Sequence, residues 1–277
     1  MTAAQPLTPD AGSAAGPPAL TAEHLCRRFR GVTAVADVSL RIPAGTRFGI
    51  IGPNGAGKTT LFNLLSGELR PTTGSVALFG RDITRLRSYR RVALGLGRTF
   101  QITRVFGDLT VLENLTLAQH GLSWTKLSPL RPWRSYGAMT AEAAELAGSF
   151  GLAGRLATPA AELSHGEVRE LEVLLALALK PRVLLLDEPA AGLSPAERVG
   201  IMALLRSLPE DLTLVMIEHD IDVLRGVVDS AAVLHLGALV TQGSMRDIQQ
   251  DDRVRELYLG RAAPGGRHPP GPEGSCP

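Results

Sequence analysis

The eight residues GPNGAGKT at 52–59 constrain this chain more than any other stretch. They follow the apolar run 48–51 and precede Leu61, Leu64 and Leu65 at helical spacing, which predicts a strand, a glycine turn and a helix over 60–69. That is the required setting for the phosphate-loop pattern G-x-x-x-x-G-K-[ST], and from this chain's residue frequencies one chance match is expected in roughly two hundred such sequences. Only three of the 29 basic residues are lysines (Lys58, Lys126, Lys180), so a lysine at the position the motif demands is not background. In such a loop the backbone turns its N–H groups around phosphate oxygens at the positive end of a helix. The expected phosphate-binding residues are Asn54, Gly55, Gly57, Lys58, Thr59 and Thr60. Lys58 reaches the β- and γ-phosphates, and Thr59 ligates Mg²⁺.

Two further apolar runs, 183–186 and 212–217, read as buried parallel strands, each preceded by a helical pattern. The fold class predicted is therefore α/β, an open and mostly parallel sheet whose functional groups gather at the carboxyl ends of its strands. Asp187 and Glu188 end the first run, where Asp187 could complete the Mg²⁺ shell and Glu188 could orient and deprotonate a water. A solvated strand end is the plain alternative for two adjacent carboxylates. His219 ends the other run, where a neutral imidazole could donate to a γ-phosphate; a lone histidine is more often structural.

Ser164 and Glu167 in LSHGE form an S-x-x-E capping box ahead of a helix carrying Val168, Leu171, Leu174, Leu175 and Ala178. A capped helix start beside a glycine is also an anion site, and the two readings are compatible. Between Arg104 and Gly166 strand signals vanish, leaving 112–119 and 140–150 as helices and suggesting an inserted helical subdomain at about 102–166.

The 277 residues are enough for a packed core. Residues 1–19 have neither a basic leader nor an apolar core, and 261–277 are dominated by Pro and Gly; both are expected to be unstructured tails around a folded region at 20–260. The longest apolar region, 173–186, is broken by Lys180, Pro181 and Arg182 and is too short to cross a bilayer. Basic and acidic residues nearly cancel, 29 against 27, so nucleic acid is not an expected partner.

In order, GPNGAGKTT, Gln101 in LGRTFQ, LSHGE, DEPAAGLSPAE and IEHD resemble the motifs of ATP-binding subunits of ABC transporters over 20–260. More narrowly, IGPNGAGKTTLFNLLSG and TVLENLTLAQH resemble the branched-chain amino-acid importer group, whose relatives carry urea and similar small solutes. The resemblance implies an ABC-type P-loop ATPase fold with an antiparallel β subdomain and a helical subdomain, using ATP and Mg²⁺. It implies that Glu188, His219 and Gln101 serve hydrolysis, that Thr59, Asp187 and Gln101 hold the metal, and that Phe29 stacks on adenine. Ser164 and Gly166 would contact the γ-phosphate bound by a second ATP-binding subunit, the same chain or a related one. Gln101 would also reach a groove for the integral-membrane permease, which is served indirectly by a solute-binding protein. The implied location is the cytoplasmic face of the cell membrane. On its own, Phe29 reads as a core aromatic, and Phe106 as either core or groove.

Departures from the wider pattern are His165 and Glu167 in the signature and Ser194 at the usual aspartate of the subunit-coupling loop. Gly237 and Ala238 stand in a turn expected to be an exposed hairpin without catalytic weight. An ABC ATPase acting on nucleic acid or ribosomes is the alternative; the long coiled-coil insertion or second ATPase copy usual there is absent from the sequence.

Overall fold

The computed structural model describes residues 18–99, 105–120, 137–219 and 221–259. An antiparallel sheet of order β2-β1-β4-β5 is formed by β1 (Pro18–Phe29), β2 (Val32–Pro43), β4 (Thr73–Leu78) and β5 (Arg81–Asp82). The larger sheet, of order β10-β9-β3-β8-β7-β6, contains β3 (Arg47–Ile51), β6 (Leu96–Arg98), β7 (Val183–Asp187), β8 (Thr213–Glu218), β9 (Ser230–His235) and β10 (Ala238–Ser244). All its pairings are parallel except β9 with β10.

The apolar runs are explained by burial on both faces. In β7, Val183 and Leu185 join the core that faces the antiparallel sheet and α1 (Lys58–Ser66), while Leu184 and Leu186 face the opposite way. There they meet Val173 of α5 (His165–Leu177) and Ile201 and Leu205 of α6 (Pro195–Arg206). A third core joins Val111 and Leu115 of α3 (Val111–His120) to Ala143 and Ala147 of α4 (Gly137–Ser149) and to Leu171 and Leu174 of α5. Short helices complete the described chain: α2 (Ser88–Val92), α7 (Ile221–Leu224), α8 (Met245–Gln250) and α9 (Asp252–Leu259).

Two boundaries differ from the sequence expectation. β1 begins at Pro18, inside the stretch 1–19 expected to be a tail, because Ala19 is fully buried and its carbonyl accepts the Phe79 N–H at 2.8 Å. The helix expected over 60–69 starts two residues earlier and stops at Gly67, whose left-handed φ of 82° ends it with an N–H to the Leu64 carbonyl.

Arg91, fully buried, secures that helix end. Its guanidinium donates to the carbonyls of Leu64 (2.9 Å) and Leu65 (2.7 Å) in α1 and to those of Thr84 and Leu86 (both 3.1 Å). Burial pushes its pKa down to about 10, with Asp82 opposing. Gly67 must be small here, since an added Cβ would lie 2.5 Å from Arg91 Nε. Arg91→Met strips the donors from four carbonyls, and we expect a loss of roughly 3 kcal/mol in urea unfolding. A loss below roughly 1 kcal/mol would mean that water satisfies these carbonyls.

Candidate active site

Strand register brings the chemistry together. Ile51 at the end of β3 lies opposite Glu218 of β8, and Ile217 lies opposite Asp187 of β7, so the three strands end at one edge of the sheet. The phosphate loop leaves from this edge. Gly57 has a φ of 94° and a Cβ there would stand 2.3 Å from the Ala34 carbonyl of β2, so only glycine lets the loop pass beneath that strand. The turn at Gly237 seals the other side: its N–H donates to the Ala56 carbonyl at 3.0 Å and its carbonyl accepts the Ala36 N–H at 2.8 Å. This turn was expected to be peripheral; the parallel pairing of β9 with β3 instead brings it against the phosphate loop.

The result is an open cavity of about 560 Å³ lined by Asn54, Gly55, Gly57, Lys58, Thr59 and Thr60, together with Glu188. Ala56 of the loop and Val32, Thr33, Ala34, Leu236 and Gly237 complete the lining, the last five outside every site expectation drawn from the sequence. The signal was weak, because they are small or aliphatic residues remote from the loop in the chain. Lys58 is buried and its ammonium donates to the carbonyls of Gly52 (2.7 Å) and Pro53 (3.1 Å). Burial lowers its pKa, opposed by the charges of Glu188, Asp187 and Glu218.

Asp187 is almost fully buried, and burial raises its pKa. Arg98 opposes that shift from 3.5 Å, while its other amino group donates to Ser66 Oγ of α1 at 2.6 Å and its guanidinium lies over the Phe62 ring. Glu188 sits in the left-handed region, φ 46°, and its carboxylate stands 3.9 Å from Nδ1 of the exposed His219. Thr59 and Asp187 offer hard oxygen donors. One hydroxyl and one carboxylate are the donor type a hard divalent cation takes when phosphates supply its other oxygens.

The signature residues occupy another place. Ser164 caps α5, its Oγ accepting the Glu167 N–H at 3.2 Å while Glu167 accepts the Ser164 N–H at 2.8 Å. These bonds, with Arg155 at 2.7 Å, hold the Glu167 carboxyl below its ordinary pKa. The Gly166 N–H donates to Glu197 of α6 at 2.9 Å, and none of these bonds reaches the phosphate loop of the same chain. Ser194 has a role of its own as the cap of α6, with Glu197 closing a second capping box. Phe29 is not a core aromatic: it is 40% exposed, stacked under the Arg27 guanidinium, and pairs across the hairpin with Val32, which lines the cavity. Phe106 is 58% exposed, its backbone gripped by the buried amide of Asn114. Gln101 lies outside the described residues, as do residues 102–104.

The model of the ABC transporter family matches residues 35–191, from β2 through the loop after β7. The chain belongs to the ABC transporter family. It is 36% identical over 252 residues to the high-affinity branched-chain amino-acid transport ATP-binding protein LivG of Salmonella typhimurium, covering 88% of this chain and 99% of that one. The figures are the same for BraF of Pseudomonas aeruginosa. The lipopolysaccharide export ATP-binding protein LptB of Acidithiobacillus ferridurans is 35% identical, covering 87% and 96%. Among solved structures, a nucleotide-free ATP-binding cassette from an ABC transporter superposes with a TM-score of 0.75 at 28% identity, covering 87% of this chain and 98% of that one. The ADP conformation of the cassette MJ1267 gives 0.75 and 28%, covering 88% and 99%. This ABC subunit is an ATP-binding and ATP-hydrolysing protein of the P-loop fold.

The buried carboxylate of this ABC subunit has a stability consequence. An acid whose folded pKa is raised costs stability once ionised, and the cost disappears as pH falls from the folded toward the unfolded value. Asp187→Asn should therefore raise the melting temperature of the nucleotide-free chain at neutral pH, with an advantage that shrinks as pH falls into the carboxylate range. An advantage that grows on acidification would show that Arg98, rather than burial, dominates this carboxylate.

Proposed function

We propose that this chain is the ATP-hydrolysing subunit that powers an importer of branched-chain amino acids. The observation that carries the reading is the 36% identity to LivG and BraF along 99% of their length. Asn54, Gly55, Gly57, Lys58 and Thr60 receive the triphosphate, with Phe29 and Val32 toward the base. Thr59, Asp187 and Gln101 would hold Mg²⁺, which would supply charge neutralisation to the bound triphosphate. Glu188 accepts the proton of the attacking water, and His219 donates to the γ-phosphate. Ser164 and Gly166 complete the site of a second ATP-binding subunit. Ser164 bonds to Glu167 of α5 and Gly166 to Glu197 of α6, neither to their own phosphate loop, which supports that division.

The ATPase domain is taken as about 20–260, extended to Pro18 by β1, with the helical subdomain at about 102–166. Exposed Phe106, just past Gln101, supports a groove for a cytoplasmic segment of the permease, which a solute-binding protein supplies. Among the described residues no helix is long and apolar enough to cross a membrane, in keeping with a peripheral subunit on the cytoplasmic face.

Glu188→Gln should keep ATP affinity and lower turnover by roughly 100-fold or more, since a carboxamide orients water but cannot take its proton. Lys58→Ala should weaken binding itself. In cells, deleting the gene should abolish uptake of labelled leucine, isoleucine or valine. Loss of urea uptake alone would move the solute within the importer group. Intact uptake with defective lipopolysaccharide export, or with ATPase activity stimulated by nucleic acid, would overturn the importer reading.

A further inference from the structure

A side chain outside the proposed ATP contacts holds the backbone that carries Glu188. Arg169 stands one turn beyond Gly166 in α5, largely buried. Its Nε donates to the Pro189 carbonyl at 3.0 Å, and Nη2 donates to the carbonyls of Asp187 (3.0 Å) and Glu188 (2.7 Å). In an extended strand successive carbonyls point to alternate sides, so three in a row cannot meet one donor group. They do so here because Glu188 adopts its left-handed φ of 46°, a conformation unfavourable for a residue with a Cβ. The planar fork of a guanidinium suits this task, whereas an ammonium is a point charge.

The fourth contact fixes the arginine. Nη1 donates to Glu172 Oε2 at 2.6 Å, and Glu172, itself buried, leaves its Oε1 without a protein partner. A cavity of about 160 Å³ is lined by this pair together with Asp187, Glu188 and His165 of the signature segment. Arg169 is thus braced on the helix that begins with Ser164 and holds the turn that aims Glu188 toward Lys58 and Thr59.

We propose that Arg169 is a positioning residue for Glu188: it sets the angle at which the carboxylate faces the phosphate cavity, and it ties that angle to the orientation of the signature helix. The inference rests on Glu188 being the general base. A movement of α5 when Ser164 and Gly166 engage the second subunit's nucleotide is then felt at Glu188 of the same chain.

The test is steady-state Mg-ATPase kinetics of the full chain carrying Arg169→Lys or Arg169→Met, with circular dichroism melts and ATP-binding titrations beside it. A carboxylate displaced by a fraction of an ångström to an ångström should lower kcat roughly 10- to 100-fold while KM and the ATP Kd stay within about twofold. Arg169→Lys should fall between wild type and Arg169→Met, and guanidinium at millimolar concentration should restore part of the kcat of Arg169→Met. If Arg169→Met fails to fold, Glu172→Gln, which keeps the guanidinium but weakens its brace, should lower kcat about threefold at unchanged KM. Normal kcat in the folded variants, or equal losses in ATP affinity and kcat, would overturn the proposal. Should Glu188→Gln itself turn over normally, the general-base reading fails first; a dead Glu188→Gln beside a normal Arg169→Met removes only the role of Arg169.

Discussion

The parallel pairing of β3 with β8 and of β8 with β7 is the constraint on which the rest of the molecule depends. It ends three strands at one edge, so a loop that binds phosphate and the acidic residues Asp187, Glu188 and Glu218 are delivered to the same place without any local sequence relation. The strands are apolar because both faces are covered, by α1 and the antiparallel sheet on one side and by α5 and α6 on the other. Packing of this kind tolerates little movement, which is what a site built from strand ends requires.

That rigidity lets the edge hold charge that burial disfavours. Lys58, Asp187 and Glu218 are all buried, and none is stable there alone. Lys58 spends its donors on carbonyls of its own loop, Asp187 leans on Arg98, and Glu218 accepts the Ala190 N–H at 3.3 Å. On the proposed function, a polyphosphate would offset the charge of Lys58 and a divalent ion that of Asp187. Left-handed Glu188 belongs to the same pattern, a strained conformation kept in place by surrounding hydrogen bonds.

The sequence made legible whatever is local. The phosphate loop is contiguous, the capping box of α5 spans four residues, and β7 and β8 read as unbroken apolar runs. The long β1 and β2 were implied by resemblance alone, because bulges break their alternation of buried and exposed residues. Arg91, Arg98, Asn114 and Arg169 escaped notice because nothing in an isolated arginine or asparagine shows whether its partners are carbonyls elsewhere in the fold. Arg91 reaches back 27 residues to Leu64, and Arg169 forward 18 to Asp187. Ser194 illustrates the converse: it stands where the motif usually has the aspartate of the subunit-coupling loop, a departure that weakens the usual bond between subunits, and its own chemistry makes it a helix cap.

The division of the site is the central claim: one chain brings Lys58, Asp187 and Glu188 to a nucleotide, and Ser164 and Gly166 serve the nucleotide of another. Within this chain the two sets lie on different elements, the phosphate loop bounded by β2 and the turn after β9, the signature tied to α6 through Glu197. The most direct measurement is an electron cryomicroscopy structure of the Glu188→Gln protein with Mg-ATP. The account predicts two nucleotides per pair of ATP-binding subunits, each γ-phosphate lying between Lys58 of one chain and the Ser164 hydroxyl and Gly166 N–H of the other. Nucleotides held by residues of a single chain, with Ser164 still bonded to Glu167 and Gly166 to Glu197, would contradict it.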